Sequence, residues 1–212
     1  MSEKYSAENE YLDDNVAERY LKRKSFTGLY GAYKSSREIN AVRQALSLCS
    51  PSSIILDAPC GFGRWFEELS KNKRKIIGID VSDAMIRAAQ SNIKDNREVI
   101  INVGNVRNLD MKNKQVDYVF SFALFKHLPD EIKADALAEF KRVARSRIIV
   151  SIPVYDILSQ IFWVIRGRKG FPISQKKLCQ MCTELDLRIV QNQKIGIPFL
   201  GLESLYVIET IS

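Results

Sequence analysis

Short apolar runs alternate with amphipathic helical patterns along most of the chain. Five runs read as strands: Ser53–Ala58, Lys75–Val81, Glu98–Val103, Val116–Phe122 and Arg147–Pro153. They are rich in β-branched residues and nearly continuous in apolar content, the pattern of strands buried on both faces. Helical patterns separate them. Ser82 is the expected N-cap of one, with Met85, Ile86, Ala89 and Ile93 on its inner face. Pro129 opens another, followed by Asp130 and Glu131, with Ile132, Leu137 and Phe140 turned inward. Strands separated by helices imply right-handed crossovers and a parallel sheet.

The alternation breaks near the end. Ser174 is expected to cap a helix reaching about Leu185, and two strand patterns follow, Arg188–Ile195 and Leu205–Ile211. The loop between them carries Gly196, Pro198 and Gly201, which predicts an antiparallel pair. The expected fold class is therefore α/β: a Rossmann-like seven-stranded sheet, five parallel strands plus a C-terminal antiparallel hairpin, flanked by helices. Ahead of the first strand lie two helical stretches, Asp14–Lys24 and Ser36–Cys49. Between them Phe26–Lys34, with Tyr30 and Tyr33 flanking Gly31, reads either as a lid over a site or as a helix packed on the sheet edge. Residues 1–50 are expected to form an N-terminal helical cap, and 51–212 the rest of one structural domain.

The stretch Ile54–Arg64, I-I-L-D-A-P-C-G-F-G-R, carries the strongest chemical signal. A buried strand ends at Asp57, a glycine-bearing turn follows, and a helix is expected to start near Gly63. Open parallel sheets bind ligands beside this first turn, where Gly61 and Gly63 let the backbone approach closely. The second strand ends in Gly78-Ile79-Asp80, placing a carboxylate where it can accept hydrogen bonds from ribose hydroxyls. Gly104-Asn105-Val106 ends the third strand, where a side-chain amide and a backbone N–H can read an adenine edge. Phe122-Ala123-Leu124 closes the wall at the end of the fourth.

In this order these motifs resemble the class I S-adenosylmethionine (SAM)-dependent methyltransferases, in particular the branch of ubiquinone-biosynthesis and related small-molecule enzymes. Asp57-Ala58-Pro59-Cys60-Gly61-Phe62-Gly63 is similar to the family's D-x-G-C-G-x-G turn, with Pro59 in place of its first glycine. Asp80 matches the acidic ribose ligand, and Gly104-Asn105-Val106-Arg107-Asn108-Leu109 the G-D-x-x-x-L segment, with Asn105 for the usual Asp. Asp117-Tyr118-Val119 through Leu124-Phe125-Lys126-His127-Leu128 matches D-x-V…L-x-H-L. The resemblance implies SAM as cofactor, S-adenosylhomocysteine (SAH) as product, and no metal. It places the cofactor on Asp57, Ala58, Pro59, Cys60, Gly61, Gly63, Asp80, Val81, Met85, Asn105, Val106, Phe122 and Ala123. Arg37 is the expected holder of the SAM carboxylate, in competition with Arg43. His127, the single histidine, is the candidate general base, and Tyr30, Tyr33, Phe125, Tyr155 and Phe162 are the acceptor-side candidates.

Composition narrows the class of acceptor only in part. The chain has 212 residues, 46% of them hydrophobic, and a formal net charge of +7, which favours anionic partners without identifying them. No nucleic-acid module is visible, so a small-molecule acceptor, hydrophobic or lipid-linked, is the favoured expectation. RNA or protein methylation and non-catalytic SAM binding are the alternatives. The first thirty residues lack the apolar core of a signal peptide, and no run approaches the roughly 20 apolar residues of a membrane span. Cytoplasmic localisation is expected. Ile157–Lys169, apolar and then basic, suggests a peripheral membrane contact, or else a roof over the acceptor pocket or a dimer interface. Cys179 and Cys182 form a C-x-x-C without two further ligands, which reads as helix packing.

Overall fold

The computed structural model describes residues 29–93, 98–155, 170–195 and 203–211. Helix α1 spans Leu29–Leu46, followed by strand β1 (Ile54–Asp57) and a short helix α2 (Phe66–Leu69). Then come β2 (Lys75–Asp80), α3 (Asp83–Ile93), β3 (Val99–Val103) and β4 (Val116–Ser121). Helix α4 (Asp130–Val143) runs directly into β5 (Ala144–Tyr155), and a two-residue strand β6 (Ile173–Ser174) precedes α5 (Gln175–Glu184). Strands β7 (Leu187–Lys194) and β8 (Glu203–Thr210) finish the order.

The sheet runs β3-β2-β1-β4-β5-β8-β7, with β6 paired to the end of β5. β1 to β5 are parallel, whereas β8 is antiparallel to both β5 and β7. The expected five parallel strands and antiparallel pair are present, and β6 is an eighth strand that two residues of sequence did not signal. Strand order reverses between β1 and β4. That switch point opens a cleft at the carboxyl ends of the strands.

Helices cover both faces. On one, Ala41, Val42, Ala45 and Leu46 of α1 pack with Trp65, Phe66, Ile86 and Ala89 against Ile55, Phe120 and Ile149. On the other, Leu137, Phe140 and Val143 of α4 and Leu178, Met181 and Cys182 of α5 cover Leu56, Val119, Ile148 and Val150. Cys182 is buried and Cys179 exposed. Ser174 caps α5, its side chain accepting from the Lys177 N–H. Buried Arg74 caps the C-terminal end of α1, donating to the carbonyls of Leu46 (2.9 Å) and Cys49 (3.2 Å).

Two expectations about the elements are corrected. α1 begins at Leu29, not Ser36, so the described part of the expected Phe26–Lys34 lid belongs to this helix. Gly31 lies within it and is buried; one helical glycine costs only about 1 kcal/mol relative to alanine, which packing can offset. The third strand is not buried on both faces: Ile100 is 61% and Val103 56% exposed. Among the described residues β3 lies at the sheet edge and pairs with β2 alone, so its apolar run is longer than its burial.

Candidate functional site

The glycine turn is fixed from several sides. The Cys60 N–H donates to the Ile79 carbonyl (2.9 Å) and the Gly63 N–H to the Cys60 carbonyl (3.0 Å). From α3, the Asn92 amide donates to the Phe62 carbonyl (2.7 Å). Gly61 and Gly63 have φ of +53° and +78°, in the left-handed region that favours glycine. Their surroundings differ. Among the described residues, a Cβ on Gly61 would meet nothing within 4 Å, whereas one on Gly63 would lie 2.5 Å from the Phe66 ring. Gly61 thus leaves a cradle open and Gly63 allows the turn to close. The Ala58–Pro59 peptide is cis.

Asp80 ties this turn to β2. One carboxylate oxygen accepts from the Gly61 N–H (2.8 Å) and the other from the Ser82 N–H (3.0 Å). Each oxygen keeps a lone pair for a further donor. Burial nevertheless raises the Asp80 pKa, against the lowering effect of its backbone hydrogen bonds. On the adjacent strand Asp57 is 1% exposed, and among the described residues neither of its carboxylate oxygens has a hydrogen-bond partner. Burial, and then the nearby Asp80 charge, push its carboxyl well above the ordinary range.

A group of this kind makes a specific prediction. Because folding raises the Asp57 pKa, the folded state favours its protonated form, and the associated stability is lost as pH rises through the folded value. Asp57→Asn should therefore raise the melting midpoint of ligand-free protein at about pH 8 and have less effect at about pH 4. Relief of an unsatisfied buried carboxylate is worth about 1–3 kcal/mol, at roughly 2–4 °C per kcal/mol for a chain of this size. A midpoint lowered at both pH values would contradict it.

The cleft itself is lined by Pro59, Cys60, Gly61, Asp80, Val81 and Met85 on the β1–β2 side and by Gly104, Asn105, Val106 and Arg107 after β3. Its far wall comprises Phe122, Ala123, Leu124, Lys126, His127, Leu128 and Ile132. Phe122 is packed on Trp65, with ring centroids 4.8 Å apart, and stacked on Phe120. Ala123 has φ of +62° and donates its N–H to the Ser151 hydroxyl (2.7 Å), which in turn donates to Glu203 (3.2 Å). A left-handed alanine is held against a cost of roughly 1–2 kcal/mol by that bond and the β4–β5 pairing.

Most of the expected cofactor residues come together here. Asp57 and Ala58 lie behind the turn, buried, without lining the cleft. Arg37 lies elsewhere. Its guanidinium donates to the Lys194 carbonyl (2.8 Å) and flanks Tyr33, so α1 directs it to the end of β7. Arg43 pairs with Glu68. Two other arginines line the cleft, Arg107 after β3 and Arg64 directly after the glycine turn; Arg64 lies 4.6 Å from the Trp65 ring and is ion-paired with buried Glu38. Its position in the motif was the available signal. Asn105 lines the cleft, but its side-chain oxygen accepts from the Arg107 N–H (2.9 Å) in an Asx turn, a use the adenine-pairing expectation did not include.

On the acceptor side, His127 lines the cleft, and burial, with help from Lys126, lowers its pKa to about 4. Phe125 is fully buried against Phe140 and belongs to the core. Tyr33 is exposed on α1, and Tyr155 is half-buried at the end of β5, paired in register with Ser174; neither lines the cleft. The Tyr30 side chain, Phe162 and the Ile157–Lys169 segment lie outside the described residues, as does the Asp14–Lys24 stretch. Leu124 stands in the wall as expected, and Leu128 and Ile132 line it as well, although periodicity assigned Ile132 to a core face.

Residues 55–147, somewhat less than half of the chain, match the family model of a methyltransferase domain. The chain is 29% identical over 93 residues to a demethylmenaquinone methyltransferase of Staphylococcus saprophyticus, covering 42% of this chain and 39% of that one. It is 27% identical over 93 residues to an uncharacterised methyltransferase of Geobacillus sp. (strain WCH70), covering 44% and 43%. The match spans less than half the length of these curated relatives. The fold is shared over 99% of the chain with the magnesium protoporphyrin IX methyltransferase of Synechocystis PCC 6803 bound to SAH, covering 100% of that chain, at a TM-score of 0.81 and 14% identity. Among the described residues, no helix is long and apolar enough to cross a membrane.

Proposed function

We propose that this chain transfers the methyl group of SAM to a small, largely apolar acceptor. The observation that carries the proposal is a single cleft joining the glycine turn and Asp80 to the apolar wall of Phe122, Leu124, Leu128 and Ile132. The residues suit SAM: Gly61 leaves room beside its backbone, and Asp80 retains acceptor capacity. On this reading Gly61 borders the methionine end, Gly63 shapes the turn without lining the cleft, Asp80 accepts the ribose hydroxyls, and Val81, Met85 and Val106 enclose the adenine. Bound SAM supplies an electrophilic methyl group and a neutral leaving group. The chain then has to orient the acceptor in line and exclude water.

His127 is suited to a wall position more than to proton abstraction. With a pKa near 4 it is neutral at physiological pH and a weak base. The rate of methyl transfer is expected to show no histidine limb between about pH 6 and 8, and His127→Asn to reduce it by less than about tenfold. A sigmoid rise centred near pH 6.5, abolished by His127→Asn, would assign it the base role after all.

Incubation with methyl-tritiated SAM and a fractionated cell extract tests the function. Label entering the organic-soluble metabolite fraction is the expected result. Label confined to RNA or protein would replace the acceptor class, and no label in any fraction would leave a SAM-binding protein without transferase activity.

A further inference from the structure

The charges around the cleft do not balance, and the imbalance lies on the acceptor wall. Arg64 is neutralised by Glu38, whose side chain is 3% exposed. Arg107 pairs with Asp135 on the outer rim. Asp80 is turned into the glycine turn and held by two backbone N–H groups. Lys126 also lines the cleft, half-buried, and among the described residues its ammonium has no ion-pair or hydrogen-bond partner. Asp130, four residues on, is already bridged by Lys133 (2.8 Å) and Lys177 (2.6 Å).

The backbone holds Lys126 in place. It sits in a 3-10 turn, Phe125–His127, between fully buried Phe125 and His127, and its carbonyl accepts from the Phe171 N–H (2.9 Å). The surrounding wall is apolar, formed by Leu124, Leu128 and Ile132. The depressed pKa of His127, caused first by burial, marks that wall as poorly hydrated. A cation there attracts an anion more strongly than it would in open water.

We propose that the acceptor is an apolar molecule bearing an anionic group, a carboxylate, sulfonate or phosphate, which sits on the Lys126 ammonium while its body packs on Leu124, Leu128 and Ile132. This inference rests on the reading of the cleft as a methyltransferase site and adds the charge of its substrate.

The test uses two dyes with the same aromatic body, titrated by fluorescence into the SAH-saturated full-length chain. The anionic dye is 1-anilinonaphthalene-8-sulfonate, and its uncharged counterpart is N-phenyl-1-naphthylamine. Wild type should bind the anionic dye about ten- to a hundredfold more tightly, the worth of one charge-assisted hydrogen bond. Lys126→Met should bring the two dyes to parity, and Lys126→Arg should preserve the preference. An equal preference in Lys126→Met and wild type overturns the proposal, as does a wild type that binds neither dye or does not distinguish them. Calorimetric SAH titration of the same proteins keeps the two readings apart. Wild type that fails to bind SAH removes the methyltransferase reading. A loss of SAH affinity confined to Lys126→Met overturns the present inference by assigning the lysine to the cofactor's own carboxylate.

Discussion

Asp80→Ala should lose SAM and SAH affinity by about a hundredfold or more, since two hydrogen bonds to a charged group are worth roughly 1.5–3 kcal/mol each. The same substitution should also lower stability. The Gly61 and Ser82 N–H groups, now bonded to the carboxylate at 2.8 and 3.0 Å, would be left without acceptors. Each unsatisfied buried donor costs about 1–3 kcal/mol. Asp80→Asn separates the two effects, because its single carbonyl oxygen can satisfy one backbone donor and little else. Calorimetric titration alongside thermal melts gives both quantities. An Asp80→Ala protein with wild-type SAH affinity would contradict the placement of the ribose.

The glycine turn supplies the second large effect, and here two neighbouring glycines should behave oppositely. Gly63→Ala places a Cβ 2.5 Å from the Phe66 ring, and Phe66 is buried in the core between α2 and the sheet. With φ at +78° as well, the change should destabilise the protein by about 3 kcal/mol or more, read as a lower melting midpoint with or without ligand. Gly61→Ala meets no atom of the described residues within 4 Å and incurs the left-handed backbone cost of about 1–2 kcal/mol. Its Cβ occupies the cradle, so it should stay folded and lose SAH binding by tenfold or more, at about 1.4 kcal/mol per tenfold. Two variants with equal melting midpoints and equal SAH affinities would show that the turn is not the cofactor's seat.

How much of this was legible follows from where the information sits. The parallel strands announce themselves because burial between two helical layers demands nearly continuous apolar runs, and Ile54–Asp57 and Val116–Ser121 are mostly aliphatic or aromatic. The residues after those strands are readable for a different reason: a left-handed turn needs glycine at Gly61 and Gly63, and few other sequences satisfy it. Long-range pairings leave no such trace. Nothing local in Arg37 says that it will reach the carbonyl of Lys194, and nothing in Arg64 says that it will meet Glu38. The apolar run of β3 reads like a central strand although it ends at an edge, because composition does not encode strand order. The start of α1 was obscured by Gly31, whose breaker signal is overridden by packing.

If the cleft beside the glycine turn seats SAM, it should bind SAH as well. Isothermal titration of SAH into the purified chain tests it most directly, with Gly61→Ala as the folded control. One molecule should bind per chain, with affinity lowered at least tenfold in Gly61→Ala, whose melting midpoint falls only slightly. A folded wild-type chain that shows no binding at about millimolar SAH, or binds it equally well with Gly61→Ala, would contradict it.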